Sequence, residues 1–468
     1  MAEVFAPGDK SRRARLWQRD AKALAVLGTP MALTQLVQFS VHTIDVMMIG
    51  RLGPDALAGA SLGLVMFYAG WLSLFGPAMA ISPMVSQALG RDADDVQDVR
   101  RSVRMGLWAV GIASPFFIIV YFFATDIALF FGQPEKAAKL AGPYVLAIAP
   151  GLPFSLGILI LRNYLAALDK TRVPLYVVIG TTALNALLNY LLIFGALGAP
   201  RLELVGAGIA SAVSNAVGFA ALVVYARWEP SSARFQLFKR FWVIDRERLK
   251  EVAILGLPIS LTTAFEGMLF NACVFLMGRI GIVEVAAYQV ALNVAAVAFM
   301  APMGFSMAGA VRVGLAAGAG DQDAVRRTSV LTIGFAVGAI MLIAIPVILV
   351  PRLAAGLYMD LHDPGNEAIL EEVSLYLKIA AAFMLFDAVQ VAANQCLRGL
   401  KDVRIPMVAT AVSYWLIGFP LAAYLGLKSP LGAVGVWWGL LVSLFVAAIL
   451  LSARLWQLTR SDSHARPA

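Results

Sequence analysis

Twelve mostly apolar stretches, each about 20 residues long or more, follow one another along a chain of 468 residues. A helix needs about 20 apolar residues to cross the hydrocarbon core of a bilayer, whereas a barrel strand needs only ~9–11. Lipid offers the backbone no hydrogen-bond partners, so only helices and closed barrels can span it. Run length therefore selects helices. Composition agrees: 60% of the residues are hydrophobic and 14% charged, where a soluble chain carries about 25% charged residues. Mean hydropathy is +0.79. These values exclude a soluble enzyme, a disulfide scaffold and a porin. Cys273 and Cys396 lie in apolar runs without metal-ligand spacing and do not report a redox compartment.

The spans are placed at about 22–49, 58–86, 104–124, 142–162, 173–195 and 205–226, then 251–278, 285–313, 328–350, 372–397, 404–426 and 432–456. No cleavable signal peptide is expected, because about the first twenty residues are polar and basic. The net charge of +8 would suggest nucleic acid for a soluble protein. With the N-terminus inside, however, 29 of the 37 Lys and Arg residues fall on the inner side. These include Lys10, Arg104, Arg162, Arg398 and Arg466, and seven lie in the 227–250 linker. Eight fall outside: Arg51, Lys136, Lys139, Arg201, Arg279, Arg352, Lys378 and Lys428. That is the positive-inside bias of a membrane protein. Both termini are expected in the cytoplasm, and no nucleic-acid partner is implied.

The two halves of the chain repeat each other. LGTPMALTQ (27–35) matches LGLPISLTT (255–263), and GRLG (50–53) matches GRIG (278–281), both at an offset of 228. Pro77 falls opposite Pro302, VRRS (99–102) opposite VRRT (325–328), and LAALDKTRVP (165–174) opposite LRGLKDVRIP (397–406), at offsets of 225 to 232. The fold class expected is thus an all-α polytopic membrane protein with twelve transmembrane helices in two pseudo-symmetric six-helix bundles. A period of six spans makes this a parallel repeat, as in some secondary transporters. The expected domains are a cytoplasmic arm (1–21), an N-lobe (22–226), a cytoplasmic linker (227–250), a C-lobe (251–456) and a cytoplasmic tail (457–468).

An ionisable residue deep in a bilayer costs about 2.5–3.5 kcal/mol on insertion scales and is a functional candidate by default. Three acids fall inside spans: Asp45, Glu266 and Asp387. Structural polar contact between helices is the bland alternative. Counted from the outer helix ends at ~1.5 Å per residue, Asp45, Asn189 and Ser211 share one level, and Asn185 lies one turn from Asn189. These four are expected to form one oxygen-lined cluster, although the two asparagines could equally glue helices together. Glu266 and Asp387 lie deeper, with Gln390 and Asn394 extending a polar stripe below Asp387. Gln289 and Asn293, with Asn271, are candidate cavity lining, as is Gln38. At the repeat offsets Cys273 stands opposite Asp45, Gln38 opposite Glu266 and Ser155 opposite Asp387. The fold is duplicated and the charges are not, which favours specialised sites.

Other signals are weaker. Arg162, at the inner end of its span, is expected to snorkel toward the headgroups. His42, three residues before Asp45, reads as a proton shuttle or as a packing residue. Trp71, Trp108, Trp415, Trp437 and Trp438 read as interfacial anchors. Pro30 and Pro258, at matching repeat positions, are candidate hinges. The 17 Met and 26 Phe residues would suit an adaptable binding surface, although lipid-facing and core packing accounts for most of them. No phosphate loop, zinc-type histidine pair or nucleophile elbow supports an enzyme or a cofactor.

Pro30, DVMMIGRLGPDALAG (45–59), ALDKTRVP (167–174), NALLN (185–189), FEGMLF (265–270) and DAVQVAANQCLRGLKDVRIP (387–406) together resemble the multidrug and toxic compound extrusion (MATE) transporters, especially the NorM-type branch, over about residues 22–456. The resemblance implies a bacterial inner-membrane antiporter that exports organic cations and amphipathic drugs in exchange for inward H⁺ or Na⁺. Membrane lipid is its surroundings, and it is expected to act as a monomer. By position, Asp45, Asn185, Asn189 and Ser211 resemble the N-lobe cation site, and Glu266 and Asp387 the C-lobe acids. Na⁺ is a candidate occupant at both. Two departures stand out: Asn189 replaces an Asp of some relatives, and Phe383 replaces a Tyr one turn before the acid of span 10. The missing hydroxyl tilts the expectation toward protons. The alternative is a flippase for lipid-linked oligosaccharides, but its anionic substrates would want Lys or Arg within the spans, where this chain has acids. A membrane-embedded enzyme using the Glu266/Asp387 pair finds no catalytic motif.

Overall fold

A computed structural model describes residues 7–356, 358–361 and 363–460. Arg466 and the side chain of Lys10 lie outside the described residues. Every regular element among those residues is a helix. Leaving out helices of seven residues or fewer, the helices are α1 (Pro7–Gly50), α2 (Pro54–Met79), α3 (Ile81–Arg91), α4 (Val96–Tyr121), α5 (Glu135–Ile148), α6 (Gly151–Ala167), α7 (Arg172–Phe194) and α8 (Glu203–Trp228). The second half follows with α9 (Arg246–Ile280), α10 (Ile282–Gly318), α11 (Gln322–Leu349), α12 (Glu367–Gly399), α13 (Arg404–Ala411), α14 (Phe419–Leu427) and α15 (Ala433–Thr459). Eleven stretches are long and apolar enough to cross a membrane, and the bent pair α5–α6 makes a twelfth. The twelve expected spans are therefore all present.

Three spans are not single regular helices, and prolines explain why. Proline removes a backbone donor and clashes with the carbonyl four residues back. The expected span 142–162 is the pair α5–α6, bent by 48° at Pro150. The stretch Pro54–Arg91 is divided at Ala80, where Pro83 offers no amide to the Met79 carbonyl four residues back. Between α13 and α14 lies a π-turn, Val412–Gly418, and Pro420 follows at the start of α14. The duplication is visible in the caps: Asp95 and Asp321, 226 residues apart, each accept from the amide three residues on, at 2.9 and 2.8 Å. Such a cap satisfies one of the free amides at a helix start.

By packing, the chain separates into two compact units: Thr34–Ala264, and the residues up to Leu33 together with those from Phe265 on. The sequence places the divide in the 227–250 linker; the packing places it inside α1 and α9, near Pro30 and Pro258. Within the middle unit the N-terminal half of α9 crosses α2 where glycines meet. A Cβ on Gly76 would lie 1.9 Å from the carbonyl oxygen of Gly256, and the Gly76 amide donates to Ser260 Oγ at 2.9 Å. In the other unit Gly28, the repeat partner of Gly256, packs its helix against Phe305 of α10, and Gly304 abuts Ala32. Each half thus supplies the N-terminal part of its first long helix to the opposite unit. The arm 1–21 is also less separate than expected, because α1 begins at Pro7 and buries Asp20 in an ion pair with Arg327 at 3.0 Å.

The linker is strapped to the middle unit. Lys170 pairs with Glu229 at 2.9 Å, Tyr164 donates to the Ser232 carbonyl at 3.0 Å, and Phe235 is fully buried. Arg104 and Trp108 donate to the carbonyls of Arg240 and Phe241 at 2.9 and 2.7 Å, and Arg101 pairs with Asp245 at 2.5 Å. Two sequence expectations change here. Arg104 is buried rather than loop-exposed, and Trp108 anchors the linker rather than an interface. Trp437 is likewise no interfacial anchor, since it lies fully buried against Tyr288, Tyr376 and Phe383.

Donation from Arg101 holds the Asp245 carboxyl below the usual carboxylate range. A carboxylate with a lowered pKa contributes fully above its free value of about 4 and loses that contribution as pH falls through the lowered value. Asp245→Asn should therefore loosen the strap at neutral pH. The pair is worth on the order of 1 kcal/mol, so hydrogen exchange over residues 229–245 should quicken about fivefold; unchanged exchange would show that the ion pair contributes nothing.

Candidate functional site

In the middle unit four polar side chains from three helices converge as the sequence predicts. Asn189 of α7 donates to Asp45 Oδ1 of α1 at 2.5 Å and to Asn185 Oδ1 at 3.1 Å. Asn185, one turn away on the same helix face, donates to Ser211 Oγ of α8 at 3.3 Å. Ser211 lies within hydrogen-bond reach of Asp45. Both asparagines are buried, where an unpartnered amide is costly. Asn189 spends both of its N–H groups and leaves its Oδ1 buried without a donor, as is Ser214 Oγ one turn beyond Ser211. His42 is exposed and takes no part in these bonds.

The second cluster lies in the other unit. Gln390 of α12 donates to Glu266 Oε1 of α9 at 3.4 Å and to Tyr414 Oη at 2.5 Å. Asp387, one turn above Gln390, is buried, and its Oδ1 has no donor; neither has Gln390 Oε1. Asn394 is buried on the same stripe. Gln289 and Asn293 do not join the cluster: both are exposed on α10, and Asn293 donates to the Gln289 carbonyl of its own helix at 2.9 Å. Asn271 is also exposed and turns back on its own helix.

Two members of this cluster escape a reading of the sequence. Tyr414, fully buried in the π-turn, stands within electrostatic range of both acids. It offers a hydroxyl that the Phe383 position lacks, while Phe383 packs against Phe270 and Trp437. The signal available was a tyrosine beside Ser413 in the middle of an apolar run; the π-turn that aims it has no period to detect. The other is Arg398, assigned by sequence to the inner loop. It is buried on α12 and interacts electrostatically with Glu266.

Gln38 and Arg162 are brought together elsewhere in the middle unit. Arg162 does not snorkel: it is 7% exposed and donates to Gln38 Oε1 at 2.7 Å and Gln35 Oε1 at 3.0 Å. Two carboxamide acceptors within reach hold the guanidinium inward against the pull of the headgroups. Pro30 and Pro258 sit inside helices that run on without a break.

Chemically, each cluster joins one or two carboxylates to neutral oxygens, several of them buried without a donor. Ionised carboxylates only accept, and buried polar atoms in folded proteins are nearly always satisfied. A proton or a small hard cation would complete either cluster; oxygen donors suit such ions. No group of three or more His, Cys, Asp or Glu side chains able to hold a metal occurs among the described residues.

Twelve spans built from a duplicated half, with an acid-containing polar cluster set between helices in each unit, are the frame of a multi-pass membrane transporter. The MatE family model matches residues 30–191 and 258–424, and the chain belongs to that family, which is one of transporters rather than enzymes. Among its relatives is the probable multidrug resistance protein NorM of Rhizobium meliloti (strain 1021), 40% identical and covering 99% of this chain and 98% of that protein. The Mesorhizobium japonicum protein of the same description is 37% identical over 94% of each chain. Among solved structures, the eukaryotic MATE transporter AtDTX14 superposes with TM-score 0.82 at 20% identity, covering 94% of this chain and 96% of its own. The Vibrio cholerae transporter VcmN in its bent form gives 0.84 at 18% identity over 95% and 98%.

Proposed function

We propose that the protein is a secondary multidrug efflux antiporter of the bacterial inner membrane, with both termini cytoplasmic. It would act as a monomer in lipid, exporting organic cations and amphipathic drugs in exchange for inward H⁺ or Na⁺ by alternating access. The observation that carries the reading is the pair of buried, acid-containing clusters whose acceptor oxygens lack donors. The descriptions of the NorM relatives support the multidrug part.

The mechanism is competition for those oxygens. With the acids ionised, a cationic drug is held by charge; a proton or Na⁺ arriving from outside neutralises the same oxygens and removes the reason for the drug to stay. A ligand shifts a conformational equilibrium only by its differential affinity for the two states, so exchanging one cation for the other is what would bias the access change. The membrane potential adds about 2.3 kcal/mol per inward charge per 100 mV to any step that moves net charge.

Proteoliposomes carrying the purified protein test this. Accumulation of a lipophilic monocation should follow an imposed Na⁺ gradient or an imposed pH gradient when each is applied alone. Folded protein that responds to neither gradient would refute the antiport mechanism.

A further inference from the structure

Arg162 poses a problem that the coupling clusters do not solve. An arginine is always charged, and a buried charge is costly unless it is paired. Yet its two acceptors, Gln35 and Gln38, are neutral carboxamides, and no carboxylate pairs with it among the described residues. Asp45, the acid on the same helix, lies two turns beyond Gln38 and is held by Asn189. The guanidinium has five N–H groups, of which the two carboxamides take two.

The repeat shows what is missing. Gln38 stands opposite Glu266 at the offset of 228. In the other unit the buried guanidinium of Arg398 lies within electrostatic range of the Glu266 carboxylate. In the middle unit an arginine again reaches the same repeat position, and a neutral glutamine stands there. Gln38 is also exposed although it lies on a spanning helix. Polar groups within spans face protein or a water-filled cavity rather than lipid, so Gln38 gives the pair an open side, with Arg162 buried directly behind it. With their oxygens turned to Arg162, both carboxamides have N–H₂ groups left to donate.

We propose that Arg162, Gln35 and Gln38 form a receptor for an anionic group of the transported solute, of the carboxylate class, so that zwitterions are held here through their acid end. The inference rests on the drug-transport reading above. A guanidinium and two carboxamide N–H₂ groups supply donors only, and a planar carboxylate fits the fork of an arginine with two parallel bonds. The site would discriminate between an acid and its ester, which no carboxylate of the coupling clusters could do by attraction.

The test uses a rhodamine with a free carboxylate and the methyl ester of the same dye, transported in parallel by the full-length protein in proteoliposomes. Arg162→Gln should lower uptake of the acid roughly tenfold or more, the scale of a charged hydrogen bond, and leave uptake of the ester within about twofold. Arg162→Lys keeps the charge without the fork and should fall between. Equal loss of both dyes in the folded Lys variant, or undiminished acid uptake in either variant, overturns the receptor. Failure of wild-type protein to move even the ester would instead overturn the transport reading.

Discussion

Asp387→Asn and Glu266→Gln are each expected to bring drug export down to the level of membranes without the protein, while insertion and elution as a single folded species stay normal. The carboxamides keep the size and shape of the acids, so packing around them barely changes. What they lose is the charge, and with it the ability to hold a cation or take up a proton. In Asp387→Asn a donor is added beside an oxygen that had none, one turn from the equally donor-less Gln390 Oε1, so no helix contact is lost. A purely structural role therefore predicts near-normal transport, and uptake within about twofold of wild type in either variant would remove the acids from the coupling mechanism. Glu266 interacts electrostatically with the buried Arg398, so Glu266→Gln should also remove a favourable charge near that guanidinium and destabilise the unit more than Asp387→Asn does.

The second large effect is on stability. Gly76→Ala should cost on the order of 1–3 kcal/mol or more, seen as a fall of several degrees in the thermal midpoint of the detergent-solubilised protein. The added carbon would meet the Gly256 carbonyl at 1.9 Å and the Ser260 amide at 2.7 Å. Both are backbone atoms, and no rotamer change can move them aside. Gly256→Ala should behave alike, because its neighbours are the nitrogen and Cα of Pro77. Its repeat partner offers the contrast. Gly28→Ala would meet only the ring of Phe305, which can swing away, so a smaller loss is expected. Gly180→Ala, inside α7 with nothing within 4 Å, should hold or slightly raise the midpoint, since alanine favours a helix interior over glycine. A midpoint for Gly76→Ala equal to that of Gly180→Ala would contradict the glycine crossing of α2 and α9.

How much of this was legible in the sequence depended on the length scale of the physics. The spans and the duplication could be read because a bilayer imposes a length and a hydropathy on every segment separately. The first cluster could be read as well: Asp45, Asn185, Asn189 and Ser211 share a depth, and depth follows from counting residues along helices. Gln289 and Asn293 carry the same signal of polarity in a span, but which face of α10 turns toward Glu266 is not written in the residue count. Arg162 and Arg398 both looked like inner-loop charges because an arginine near a span end usually reaches water; only the neighbours, Gln35 and Gln38 in one case and Glu266 in the other, show that they turn inward.

By itself the sequence determined the solvent, the number of spans, the repeat and the few acids whose burial needs a reason, since each is a local cost counted along one helix. Tertiary structure decided where the units divide, which glycines meet, that Tyr414 brings a hydroxyl to Gln390, and that Arg162 has no paired carboxylate among the described residues. These depend on which helix face meets which across hundreds of residues. Contacts in lipid rest on close packing and a few polar bonds rather than on hydrophobic burial, so they leave no apolar stripe in the sequence to announce them.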